Sequence, residues 1–274
     1  MKLNTLSIAA AIVVIALLSF SAFAQDPTPQ PEVKPAEPQA NTTQPEAKPT
    51  DPQPTVIGNP AVKAVPPDPS KVEAARKRAD SATRVVIQIM NKSDKSIPHD
   101  LMQKADAVVV FPGVLKGAFL VGGQGGKGIV VRRTKDGWSA PAFLKMAGGS
   151  FGPQIGGSKI DYIMLIMNDK GLKGLLQDKF EMGGEASVSA GPIGRNAAAS
   201  TNATFDAEIL TYSMSKGAFI GASLKGAVIT QDDELNRGIY GKSAKEMLLK
   251  DIVLADQAPE DLQGFPKIVG RFSK

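Results

Sequence analysis

The chain has no cysteine, one histidine and one tryptophan in 274 residues, and aromatic residues make up only 5% of it. Without cysteine there is no disulfide, no thiolate metal site and no lipobox. A single imidazole leaves too few ligands for a zinc centre, and carboxylates such as Asp161, Asp169, Asp206 and Glu208 do not fall at the spacing of a calcium loop. A Ser-His-Asp triad would have to use His99, yet no serine sits in a strand-turn-helix elbow. His99 reads instead as polarity on the solvent side of a short helix. No metal, no cofactor and no catalytic residue are expected.

Long apolar runs are also scarce. Ile8 to Leu18 is too short to span a bilayer, and with Lys2 before it and Ala22-Phe23-Ala24 after it the run has the layout of a secretory signal peptide cleaved after Ala24. Residues 1–24 are therefore expected to direct export, to a periplasm or out of the cell. Residues 25–69 hold most of the 20 prolines with little large apolar surface between them. Such a segment cannot offset its own ordering entropy, so it reads as an extended, partly polyproline II tether. Charge divides at the same boundary. Four basic and six acidic side chains precede residue 70, leaving 28 basic against 21 acidic in residues 70–274. A basic domain on an acidic tether points to an anionic partner.

Glycine is what the chain has in quantity, 27 in all. The run from Phe111 to Gly157 contains two strand-like pieces, Gly117–Gly122 and Gly128–Arg133, and Gly123-Gln124-Gly125-Gly126-Lys127 between them predicts the reversal of a hairpin. Lys116-Gly117-Ala118-Phe119 recurs as Lys216-Gly217-Ala218-Phe219, again ahead of apolar strands, which suggests two echoing hairpins closing one sheet. Ala107 to Phe111 reads as a buried strand ended by a turn at Pro112-Gly113. Trp138 to Leu144 reads as an edge strand with Pro141 at its margin, and Ile160 to Met167 as a central strand. Further strands are expected at about 185–190, 207–214, 218–224 and 227–230. Short helices are expected at about 98–104, 169–180, 233–237, 244–249 and 260–263.

The folded part opens with a helix from Ser70 to about Met90, where Ser70 can cap and Glu73 can close a capping box. Ala75, Ala79, Ala82, Val86 and Ile89 form its apolar stripe, while Lys71, Arg76, Lys77, Arg78 and Arg84 supply positive charge elsewhere. The predicted fold is one α+β domain: a strongly bent, mostly antiparallel sheet, half-closed or closed like a barrel, with helices at its N- and C-terminal ends. Gly123 to Gly128 satisfies G-x-G-x-x-G as text, but Ile129-Val130-Val131 after it is a strand and not the helix that a dinucleotide site requires. No P-loop is present either.

Eight short pieces occur in an order that resembles the SYLF domain, also called the Ysc84 or Las17-binding actin-regulator domain. They are Ile97-Pro98, Phe111-Pro112-Gly113, Lys116 to Phe119, Gly137 to Pro141, Gly152 to Gly156, Gly191 to Arg195, Tyr212 to Gly217 and Asn236 to Gly241. The resemblance covers residues 70–274 and implies non-catalytic lipid binding. Eukaryotic members bind phosphoinositides, partly through a basic amphipathic segment that corresponds here to Ser70–Met90, and some bind or bundle actin. An exported chain without SH3 or FYVE modules is not expected to meet actin or phosphoinositide, so the carry-over is to anionic phospholipid or a membrane surface in general. The expected lipid-binding residues are Lys71, Arg76, Lys77, Arg78 and Arg84 on the helix, joined by Lys127, Arg132 and Arg133 at the first hairpin. The rival expectation is a structural envelope protein whose partner is another protein or an anionic glycan; nucleic acid is not an expected partner.

Overall fold

The computed structural model describes residues 66–92, 95–119, 121–150, 156–184, 186–194 and 206–274. The expected signal peptide, almost all of the expected tether and residues 152–155 of the Gly152 to Gly156 piece lie outside these residues. Helix α1 runs from Pro69 to Met90, and its cap is Asp68, whose carboxylate accepts the Ser70 N–H at 2.8 Å. Proline suits the first helical turn because its missing N–H would have no partner there. The cap therefore falls one residue before the proline, two before the predicted Ser70, and Glu73 turns to Arg76 and Lys77 instead of closing a box. Ala75, Ala79, Ala82, Val86 and Ile89 are buried as the periodicity predicts, together with Val85 and Met90. Helix α2 follows at His99–Lys104.

Among the described residues ten strands make the sheet: β1 (Ala107–Phe119), β2 (Val121–Thr134), β3 (Gly137–Trp138), β4 (Ala142–Ser150), β5 (Gly156–Ile166), β6 (Phe180–Glu181), β7 (Val188–Ala190), β8 (Ile209–Ser215), β9 (Ala218–Gly221) and β10 (Ala227–Gln231). Their order is β6-β10-β4-β2-β1-β5-β8-β7, with β3 against β2 and β9 against β8. Every pairing is antiparallel except β7 with β8. The fold is α+β with a strongly curled sheet, a half-barrel. Chain length shows why it must curl. From β9 to β10 is six strand spacings, which in a flat sheet is about 29 Å at roughly 4.8 Å each. Gly221 and Ala227 are six residues apart and can span at most about 22 Å. A turn within that link, where the Ala227 N–H donates to Leu224 O, shortens its reach further.

The strands depart from the sequence reading in four places. Pro112-Gly113 is a bulge inside β1 and not its end: the register shifts between Val110 and Leu115, Gly113 has φ +62°, and its N–H donates to Asp161 Oδ1 at 2.7 Å. The glycines of residues 123–126 lie within β2, and Phe119 already pairs with Val121 ahead of them. Gly126 and the nearby Gly128 are needed for packing. A Cβ on Gly126 would meet Val114 Cγ2 at 2.6 Å, and one on Gly128 would meet the Phe111 ring at 2.5 Å. β4 is interior, between β2 and β10, because Pro141 falls just before it and costs no ladder bond. The two Lys-Gly-Ala-Phe pieces are not equivalent either. The first lies within β1, whereas the second spans the β8–β9 turn and leads to a strand that pairs with β8 rather than β10.

β5 is the central strand that its nearly unbroken apolar run predicts, between β1 and β8. Helix α3 spans Asp169–Leu175, capped by Asn168, and α4 spans Asp233–Tyr240. Residues 246–250 form a π-helical turn, and the Leu248 carbonyl there accepts Arg132 Nη1 at 2.6 Å. The last helix, α5 (Gly264–Phe272), was not foreseen; Phe265 and Val269 bury one side of it against the core.

Candidate functional site

α1 crosses the base of the sheet, and Arg78 decides how closely it sits. Its guanidinium lies over the Phe143 ring at 5.3 Å and donates to Asp232 Oδ2 at 3.0 Å, with longer bonds to the carbonyls of Gly128 and Leu144. Asp232 is itself buried and also receives Lys145 at 3.0 Å. Burial pushes the Asp232 carboxyl up, but hydrogen bonds from Lys145 and Arg78 outweigh this and hold it below the usual carboxylate range. Arg78 is therefore a bolt between helix and sheet, buried and paired where the sequence reading had it free for a lipid. Its amphipathic position misleads because Asp232, its partner, is 154 residues away in the chain.

Arg132 and Arg133 are likewise drawn into the fold. Arg132 joins the π-turn and reaches Asp169 Oδ1 at 3.4 Å. Arg133 stacks on Trp138 at 4.5 Å and donates to the carbonyls of Ala105 and Met102 at 2.9 and 2.8 Å. These bonds close the exposed C-terminus of α2 and the residue after it, which is work for a structural side chain. Lys71 is bound to Glu234 on α4. Arg76 is held between Glu73 and Asp80 at 2.8 and 2.9 Å, and the Arg76 hydrogen bonds lower the Glu73 carboxyl to about 2.

Four of the eight predicted residues converge, and three of them are exposed. Lys77 and Arg84 on α1 and Lys127 on β2 line one cleft of about 560 Å³ between the helix and the bulge of β1. Its floor includes Pro112, Gly113 and the edge of Arg78. All three cations are exposed. Lys77 has Glu73 at 3.4 Å, whereas Arg84 donates to the Ser81 hydroxyl at 2.9 Å. Among the described residues no carboxylate lies within ion-pair distance of Arg84 or Lys127. Asp161 also lines the cleft, and one of its oxygens is taken by the Gly113 N–H. Sequence reasoning missed Asp161 and the bulge because nothing local marks Pro112-Gly113 as continuing a strand. The cleft can receive an anion of phosphate size from one side.

A profile of the family described as "Ysc84: Las17-binding protein actin regulator" matches residues 147–268. The protein named SH3 domain-containing YSC84-like protein 1 of Bos taurus is 33% identical over 202 residues, 72% of this chain and 59% of that protein. The domain belongs to the Ysc84 family. Protein YSC84 of Saccharomyces cerevisiae is 32% identical over 204 residues, 72% of this chain and 43% of its own length. LAS seventeen-binding protein 3 of the same species is 37% identical over 161 residues, 57% of this chain and 35% of its own. The chain thus spans between about a third and three fifths of the curated relatives it matches, and their whole-protein partners do not transfer with the fold. Lys77, Arg84 and Lys127 all precede the segment that the family profile matches.

Proposed function

We propose that this Ysc84-family domain is a non-catalytic binder of anionic phospholipid at a membrane surface, carried by an exported chain in a periplasm or outside the cell. The observation that carries the reading is the convergence of Lys77, Arg84 and Lys127 on one open cleft, the last two without a carboxylate partner among the described residues. The domain's excess of basic residues draws it to an anionic surface, and the cleft supplies the local contact. Export separates the chain from actin, so the actin regulation named for the family is not part of this reading.

Each cation close to an anionic bilayer contributes about 1 kcal/mol, so the three together give about a hundredfold in affinity. The test is co-sedimentation of residues 60–274, one compact unit, with vesicles of increasing anionic fraction. Changing Lys77, Arg84 and Lys127 to Ala should lower binding by about two orders of magnitude and flatten its salt dependence. Stability should stay within about 0.5 kcal/mol, since the three side chains hold no buried partner. If the triple variant binds like wild type, the cleft is not the site; if wild type ignores anionic vesicles, the reading fails.

A further inference from the structure

Next to the cleft, one face of the sheet carries a second opening. Register places Leu115, Gly125, Ala147 and Val228 directly opposite one another on β1, β2, β4 and β10, so they form one row on one face. The next row on that face, two residues nearer α1, is Lys127, Lys145 and Thr230. The two rows line a trough of about 690 Å³, which shares Pro112, Gly113 and Lys127 with the cationic cleft. Leu115 stands 59% exposed at the β1 end, the most exposed large apolar side chain among those described. A cationic row therefore runs alongside an apolar one, and Lys127 belongs to both openings. Three strand spacings make the apolar row about 14 Å long, the scale of a medium acyl chain.

We propose that the trough holds one acyl chain of the same lipid whose anionic head group occupies the cleft, so that the domain takes up single lipid molecules rather than only resting on a bilayer. This rests on the anionic-lipid reading above. Charge complementarity selects the occupant. A fully apolar ligand would leave Lys127 unanswered, and a small anion would leave Leu115 in water, whereas a single-chain anionic amphiphile meets both rows at once. Association through the apolar row adds buried area that the cleft alone lacks.

The experiment uses residues 60–274 and a saturated single-chain lysophosphatidylglycerol below its micellar threshold, followed by calorimetry. Glycerol phosphate serves as head group alone, and anionic vesicles are assayed in parallel. Wild type should bind the lysolipid one to one and at least tenfold more tightly than glycerol phosphate. Leu115→Gln with Ala147→Gln, both exposed and both uncharged changes, should remove that advantage while vesicle binding stays within twofold and thermal unfolding is unchanged. If wild type binds vesicles but prefers the lysolipid no more than glycerol phosphate, the trough proposal is overturned and the surface reading stands. A double variant that binds lysolipid like wild type overturns the placement. If wild type binds neither vesicles nor lysolipid, the underlying reading falls and the proposal falls with it.

Discussion

Arg78 and Arg84 lie on the same helix, less than two turns apart, and the fold uses them in opposite ways. Arg78 is turned under α1 onto Phe143 and Asp232, and Arg84 stands in the open beside Ser81. The same division runs through β2, where Lys127 opens to the cleft and Arg132 and Arg133 tie down distant carbonyls. Cations of the first kind hold elements together and contribute stability; those of the second kind are left for a ligand. A count of positive charge along the helix does not tell them apart, because the difference lies in partners supplied from elsewhere in the chain.

The largest effect that separates the two kinds should come from Asp232→Ala. It strands Arg78 without its buried partner, and breaking one side of such a pair costs about 3–5 kcal/mol. Urea unfolding should show the midpoint fall accordingly, with vesicle binding at low temperature little changed. A smaller loss is expected for Arg133→Ala, about 2 kcal/mol, from two carbonyl bonds and the stacking on Trp138. Arg133→Lys should recover less than half of it, since an ammonium cannot both stack and fork; equal stability of the Lys variant and wild type would show that charge alone matters there. The smallest effect is on acid sensitivity. The folded Asp232 carboxyl sits below its unfolded value of 3.8, so its contribution is complete above that value and is lost as pH falls through the lower folded one. Unfolding measured from pH 5 down to pH 2.5 should be less steep in Asp232→Asn than in wild type.

Much of the architecture was legible because it rests on local pattern. The stripe of α1, the apolar run of β5 from Tyr162 to Ile166 and the Leu210, Tyr212 and Met214 face of β8 each carry a local signal, and all are buried. Placement of the reversal failed at residues 123–127 because glycine permits turns but also permits close packing, and here Val114 and Phe111 claim the space beside Gly126 and Gly128. The site was half legible. Lys77, Arg84 and Lys127 were named, but Arg78, Arg132 and Arg133 were named with equal force. The partners that divide them, Asp232, Trp138 and the carbonyls of Leu248, Ala105 and Met102, announce nothing in the sequence near them. Leu115, which no local pattern singles out, stands exposed.

The short passage from Gly221 to Ala227 has a kinetic consequence. β10 must return to β4, a partner some eighty residues earlier in the chain, and it can do so only once the strands between have already bent. Neighbouring pairs such as β1 with β2 need little loop closure and are suited to forming early. The β9–β10 connection is thus a clasp: it fastens late, and while it holds, the curl cannot relax, since flattening the sheet would demand more chain than those residues contain. A protein built this way should breathe from the clasp outward, with β6 and β10 releasing before the β1–β5 centre.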